Sequence, residues 1–333
     1  MPLFNRGKLE ALKAMSKPVV LLLGAGQLGS RYLQGLSGID RELKIIVVDP
    51  ASTSLDLARK RFAEVSPATA HEVQFTTSLD GICKQLDLAL VVTPAHCRAD
   101  LVDSIQARHD VSSWILEKVL AQSSQQVEQI EKALDGQSQV WVNTPRRLMG
   151  WHQEIKEQLL ASGTAPLRVR MAGGYWGLAC NAIHFIDLVN WWTCARVDGV
   201  DSRGLQDWHA SKRSGFQEVF GSLMVNFRDG SSLELSCQQR DLPPRIEVET
   251  PDGIWLIDEA AGKAVSPSGL EIAGQLSFQS ALTAPLVEQI LTSGRCELPS
   301  LPDSAAQHRP FLDALLQHWN YSQSCKDLAV PIT

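Results

Sequence analysis

The sequence predicts an α/β chain in two parts: a doubly wound parallel sheet, then an α+β half with an open, mostly antiparallel sheet. Three features point to it. Up to residue 145, short runs rich in Val and Ile alternate with stretches of helical spacing, the pattern of parallel β-α-β units. A glycine-rich turn, Gly24-Ala-Gly26-Gln27-Leu28-Gly29, joins the first apolar run to the first helix. After Pro145, strand-length runs follow one another through the turn signals Phe227-Arg-Asp-Gly230 and Thr250-Pro-Asp-Gly253, as antiparallel strands do.

Taken in order, the first-half strands are expected at Pro18–Leu23, Lys44–Val48, Glu72–Phe75, Leu88–Val92, Ser113–Leu116 and Val140–Val142. Helices are expected between them at Leu28–Leu36, Ser54–Val65, His96–Arg108 and Ser123–Leu134; in the third, Leu101, Ile105 and Arg108 share one face. The second half predicts helices at Met149–Leu160 and Asn181–Trp192, a strand at Leu167–Met171, and strands at Val219–Arg228, Ser232–Cys237, Arg245–Glu249 and Ile254–Asp258. Helices at Ala281–Thr292 and Ser304–Tyr321 close the chain. A chain of 333 residues has room for two domains, placed here at 1–145 and 146–333 with no flexible linker between them. Strands such as Val219–Phe227 alternate too little to face water on one side, which predicts a homodimer or homotetramer built on the second sheet.

Composition narrows the function. Hydrophobic residues make up 44% and charged residues 20%, and the balance of 31 basic against 37 acidic residues gives −6. That charge argues against a nucleic-acid partner, while leaving room for a local pocket of either sign. No apolar run reaches the ~18–20 residues of a membrane helix, and the first 15 residues have no signal-peptide core, so a cytoplasmic protein is expected. The seven cysteines are widely spaced without a C-x-x-C pair, and His308 and His318 lack partners at ligand spacing, so no disulfide framework and no metal are expected.

The turn at Gly24–Gly29 suits a dinucleotide. Gly24 allows the tight turn, Gly26 lets the backbone approach a pyrophosphate, and Gly29 lets the helix pack against the strand. Asp49, twenty residues beyond Gly29 at the end of the second strand, is placed to accept a ribose 2′-hydroxyl and to repel a 2′-phosphate, which selects NAD over NADP. Arg59 and Arg61 lie too far into the next helix to hold such a phosphate.

The motif order resembles that of the Gfo/Idh/MocA oxidoreductases over most of the chain. The resemblance rests on Gly24–Gly29, on Val91-Val-Thr93-Pro94-Ala-His96, on Glu117-Lys118-Val119, on Asn143-Thr-Pro-Arg146-Arg147 and on Ile183-His184-Phe-Ile-Asp187. It implies a Rossmann domain, a second α/β domain whose open sheet forms the oligomer interface, and hydride transfer between NAD and a sugar or polyol carbon. It places Thr93, Pro94, His96 and Glu117 beside the cofactor, and Arg146, Trp176 and Asn181 with Lys118 and His184 on the substrate side. Lys118 and His184, with Asp187 one helical turn later, take the catalytic positions. Two residues depart from the pattern. Val119 stands for a proline that often makes a cis bond, and Cys180 stands for an aspartate four residues before the histidine. The stretch Trp176–Asp187 is also similar to a subgroup associated with bacterial surface polysaccharide.

The chemistry needs these residue types. A carbinol carbon loses hydride only as its hydroxyl proton leaves; a histidine takes that proton near neutral pH, and a lysine stabilises charge on the oxygen. Cys180, His184 and Asp187 share one helical face, so Asp187 is expected to hold His184 or touch substrate. With Lys118 and His184 on either side of residue 145, the site is expected between the domains. The two departures keep other functions open: a non-catalytic NAD- or sugar-sensing regulator, or a glycosidase or epimerase that uses NAD without net redox change.

Overall fold

A computed structural model describes residues 17–137, 139–161, 163 and 166–333. The first 15 residues, read above for a signal peptide, lie outside them. The chain begins β1 (Val19–Leu23), α1 (Gln27–Leu36), β2 (Lys44–Val48), α2 (Ser52–Ala63), β3 (Glu72–Thr76), β4 (Gln85–Leu86), β5 (Leu88–Val91), α3 (Ala95–Gln106), β6 (Asp110–Val111), β7 (Trp114–Glu117), α4 (Ser124–Ala133) and β8 (Val140–Asn143). Six strands form one sheet in the order β3-β2-β1-β5-β7-β8, with β1 parallel to both β2 and β5 and β2 parallel to β3. Leu21, Leu22, Ile45, Ala89 and Leu90 are almost fully buried, as strands covered on both faces require. The strand order reverses between β1 and β5, which opens the carboxyl end of β1 at Gly24.

A 3₁₀ turn (Pro145–Leu148) leads into α5 (Gly150–Ala161), β9 (Arg168–Gly174), α6 (Leu178–Thr193), β10 (Val197–Asp201), β11 (Leu205–Ala210), β12 (Gln217–Phe227), β13 (Ser232–Gln238), β14 (Arg245–Thr250), β15 (Gly253–Asp258), β16 (Lys263–Val265), β17 (Glu271–Ala273), α7 (Gln279–Ser293) and α8 (Leu301–Gln323). The second sheet runs β10-β12-β13-β9-β14-β15-β16-β17, with β11 also on β12. Only β13 and β9 pair in parallel among the registered ladders of this sheet. Helix α6 covers β12 and β13.

The expected lack of alternation is corrected. In β12, Glu218, Val219 and Phe220 are all buried, but beyond Gly221 the strand alternates, with Met224 and Asn226 outward. Strands β9 and β14 alternate from their first residue. Their outer positions carry charges that pair across strands, Arg170 with Glu234 at 2.9 Å and Arg168 with Glu249 at 3.4 Å. One face of this sheet therefore suits water.

The chain groups by packing into two compact units. One holds the described residues up to Val92 with Arg108–Trp114 and Gln279–Cys296; the other holds Thr93–Ala107, Ile115–Phe278 and Glu297–Thr333. Among the described residues, no helix is long and apolar enough to cross a membrane.

Candidate active site

In the first unit, the glycine turn is shaped by its own backbone. Gly24 has φ +89°, a conformation that side chains resist. A Cβ on Gly29 would lie 1.8 Å from the Gly24 carbonyl oxygen, whereas one on Gly26 would meet nothing within 4 Å. Helix α1 starts at Gly26 with no side-chain cap and no acidic residue in its first turn, so its leading N–H groups stay available. Asp49 accepts from the Ala25 N–H at 2.7 Å and the Ala51 N–H at 2.9 Å. Its half-buried carboxylate thus braces the turn while keeping lone pairs for a sugar hydroxyl. Arg61 turns back to Gln27, donating to its carbonyl at 2.9 Å and its side chain at 2.6 Å, and to the Ser30 hydroxyl. Leu28 is half-buried and Gln27 exposed. An uncapped helix start, open space over Gly26 and a carboxylate at the strand end fit a dinucleotide.

Lys118 lies in the second unit, as does His184. It follows β7, and the Lys118–Val119 peptide is cis although Val119 is not proline. The next residues are clamped from both sides. Arg98, buried on α3, donates to the carbonyls of Thr93, Val119 and Leu120. His308, fully buried on α8, accepts the Leu120 N–H at 3.0 Å through Nε2, and its Nδ1 lies 2.9 Å from the Ser304 carbonyl. The Lys118 ammonium donates to the Cys180 carbonyl at 3.2 Å and to Asn181 Oδ1 at 3.1 Å. Asn181 Nδ2 in turn donates to the Trp176 carbonyl at 2.7 Å, which fixes the amide.

A carboxylate reaches this point from the sheet. Helix α6 follows Gly177, at φ +75°, and has no side-chain cap at that position. Glu218 of β12 supplies one: its oxygens accept the Ala179 N–H at 2.9 Å and the Cys180 N–H at 3.3 Å, and the Cys180 thiol hydrogen-bonds it as well. Burial and then Glu218 push that thiol up to about 12, so it stays protonated and donates. Burial also raises the Glu218 carboxyl above the usual range, against the pull of these donors and of Lys118. Burial lowers the Lys118 ammonium below the usual lysine value, opposed by Cys180, Glu117 and Glu218. Burial, followed by the charges of Lys118 and Arg146, holds the His184 imidazole well below its ordinary value. His184 Nδ1 is buried without a hydrogen-bond partner among the described residues.

No protein-family model matches the chain, and no curated protein matches its sequence. Solved structures match its shape. A protein of Desulfitobacterium hafniense described as an NADPH-dependent oxidoreductase superposes with a TM-score of 0.70, over 93% of this chain and 97% of that one, at 10% identity. GenD2 from gentamicin A biosynthesis, in complex with NAD, gives 0.66 over 90% and 93% at 18% identity. Scyllo-inositol dehydrogenase from Lactobacillus casei, with NAD(H) and scyllo-inositol, gives 0.66 over 91% and 98% at 14% identity. The fold is of the Gfo/Idh/MocA type. At these identities the likeness speaks for architecture.

The other expected site residues divide into two groups. Trp176 lines a cavity of about 570 Å³ together with Cys180, Asn181 and Glu218. Thr93 keeps a buried hydroxyl without a partner, Pro94 precedes α3, and exposed His96 packs on Phe216 with centroids 5.7 Å apart. The second group is spent internally. Asp187 is 1% exposed, and its oxygens accept from Thr144, twice from Arg147 and once from Gln307, so its bonds go there and not to His184. Four donors fill the acceptor sites of one carboxylate. Arg146 makes a bidentate pair with Glu259, 2.7 Å at each contact, and lies over Phe185. Burial works against ionising Glu259, but Arg146 and His152 outweigh it and hold the carboxyl down to about 2. Glu117 is buried and accepts from Asn143 at 2.6 Å.

Sequence reasoning missed Glu218 and Arg98. Glu218 stands in a strand 38 residues past Cys180, so spacing carries no trace of their contact. Arg98 left a faint signal, since it sits on the apolar side of an amphipathic helix.

Proposed function

We propose that this chain is a cytoplasmic NAD-dependent oxidoreductase acting on CH–OH groups, moving a hydride between nicotinamide and a sugar, polyol or sugar-derivative carbon. The observation that carries it is Lys118 held by Asn181, which lines a cavity together with Glu218, while the charge of Lys118 helps hold the His184 imidazole below its ordinary value. The fold's relatives with bound NAD, and the bracing of Gly24–Gly29 by Asp49, support the cofactor. The N–H groups opening α1 and the open side of Gly26 would hold its pyrophosphate, and Asp49 a ribose hydroxyl. NAD held there would supply the hydride acceptor or donor. Neutral His184 takes the substrate hydroxyl proton, and the Lys118 ammonium donates a hydrogen bond to the same oxygen as negative charge grows on it. Asn181 aims Lys118, and Glu218 keeps positive charge on it favourable. A sensor without catalysis rests on the missing aspartate at position 180 and the missing proline at position 119; the Glu218 carboxylate beside Cys180 and Lys118 supports the enzyme instead.

The test follows absorbance of the reduced cofactor while purified protein meets a panel of sugars and polyols. Lys118→Ala should cost about 10²–10⁴ in turnover and leave NADH affinity nearly unchanged. Asp49→Asn keeps an acceptor for the Ala25 N–H and removes the charge, so it should narrow the preference for NADH over NADPH in a titration. Tighter binding of NADPH by the wild type would overturn the cofactor assignment. Within the substrate class, the stretch Trp176–Asp187 favours sugars used in polysaccharide biosynthesis. Ile254 and Leu256, half exposed on β15 of the second sheet, support a homodimer or homotetramer; a monomeric mass by light scattering at micromolar concentration would refute it.

A further inference from the structure

The cavity beside Asn181 and Glu218 is also lined by two basic side chains, Lys212 and Arg213. Two of its acceptors are already engaged: Glu218 receives two N–H groups and a thiol, and Asn181 Oδ1 receives Lys118. Its rim is the turn between β11 and β12, whose tip carries Lys212 and Arg213, both exposed. The turn is ordered by its own bonds, from Ser211 Oγ to the Arg213 carbonyl, from the Arg213 N–H to Ser211 Oγ, and from the Ser211 N–H to the Phe216 carbonyl. Neither basic side chain has an acidic partner among the described residues, and Arg213 has spent only one guanidinium N–H, at 3.4 Å on the Thr333 hydroxyl. Two unpaired positive charges on a chain of net charge −6 are a local reversal of sign at the mouth of a cavity.

Aromatic residues line the cavity as well. His209 stacks on Phe220, centroids 4.1 Å apart and planes 10° from parallel, and its Nδ1 is buried without a partner. Tyr175 stands edge-on to the same Phe220 at 5.7 Å. It is 55% exposed and has φ +51°, a backbone that a bulky residue adopts only where its surroundings impose it. A half-exposed ring at the mouth of a cavity, an unfilled nitrogen in its wall and an unpaired guanidinium on its rim together describe a ligand with a ring face, hydroxyls and an anionic group.

We infer that the substrate is an anionic sugar derivative, its carboxylate or phosphate taken by Arg213 and Lys212 and its ring covered by Tyr175. This rests on the proposed function for the word substrate, but the binding site is testable without turnover. Isothermal titration of the full chain with glucuronate, glucose 1-phosphate and glucose separates the sources of charge. One or both anions should bind at least about tenfold more tightly than glucose at about 20 mM salt, and the gap should narrow at about 300 mM as the rim charges are screened. Lys212→Gln with Arg213→Gln should close the gap while leaving glucose binding as it was. Tyr175→Ala should weaken anionic and neutral sugars alike. Equal binding of glucose and both anions, or a gap that survives the double substitution, overturns the inference. Hydride transfer to neutral polyols with no preference for anions overturns it and leaves the oxidoreductase reading standing. Anion binding that depends on Arg213 without any hydride transfer supports the site and overturns that reading instead.

Discussion

Glu218 does two jobs with one carboxylate. It satisfies N–H groups at the start of α6 that no nearer side chain caps, and it places negative charge beside a lysine whose ammonium burial disfavours. The two jobs separate under Glu218→Gln. The amide keeps one acceptor oxygen, so the cap is damaged but not abolished, at a cost of about 1–3 kcal/mol. The charge is lost entirely. Lys118 must carry its proton to donate to the substrate oxygen, so activity falls as pH rises through its pKa, already below the ordinary lysine value. Removing Glu218 removes a group that raises that pKa, and the alkaline limb of kcat/KM should move to lower pH. The acid limb, set by His184 well below its ordinary value, should stay where it is. An unmoved alkaline limb would reduce Glu218 to a cap.

At the scale of elements, the start of α1 separates folding from binding. Gly29 is held by packing, since a Cβ there would sit inside the Gly24 carbonyl. Gly26 is held by nothing in the protein: its backbone, φ −65° and ψ −155°, is open to other residues and the space above it is empty. Gly29→Ala should therefore destabilise the chain by at least the ~1–3 kcal/mol of an overpacked core, read as a lower urea midpoint. Gly26→Ala should unfold at the wild-type midpoint and still lose about tenfold or more in NADH affinity, because the added methyl stands where the pyrophosphate must approach. If both variants bind NADH equally well, the turn is only a turn. Here the sequence was most legible, because the pattern, the strand before it and the helix after it are all local. The clamp on Lys118 was not: Arg98 and His308 come from helices ~20 residues before and ~190 after it, and nothing local marks either as a partner of residues 119–120.

At the scale of the whole molecule, legibility follows the same division between local and distant. The parallel sheet could be read because its runs are apolar and short, and the second sheet because its turns carry Gly and Asp. The short ladder of β4 with β6 and the internal use of Asp187 and Arg146 depend on partners far along the chain, which periodicity does not record. The buried histidines carry a consequence for the entire fold. His152, His184 and His308 are all held below their ordinary value chiefly by burial, His308 at about 4. The unfolded chain takes up a proton at each near pH 6.5, and the folded chain refuses it, so stability is full above that pH and is lost as pH falls toward the folded values. Each group contributes at most about 1.4 kcal/mol per pH unit in that window. Glu218, raised in the folded state, works the other way just above the ordinary carboxylate range, while Glu259, held at about 2, extends the loss below it. The net expectation is a urea midpoint that falls steadily from pH 7 to pH 4.5. His308→Gln isolates one term: its amide oxygen can still accept the Leu120 N–H, but it does not titrate. The variant should lose about 3 kcal/mol less than the wild type between pH 7 and pH 4. Parallel curves for the two proteins would mean that His308 is protonated in the fold as readily as outside it, and that its bond to Leu120 does not hold it neutral.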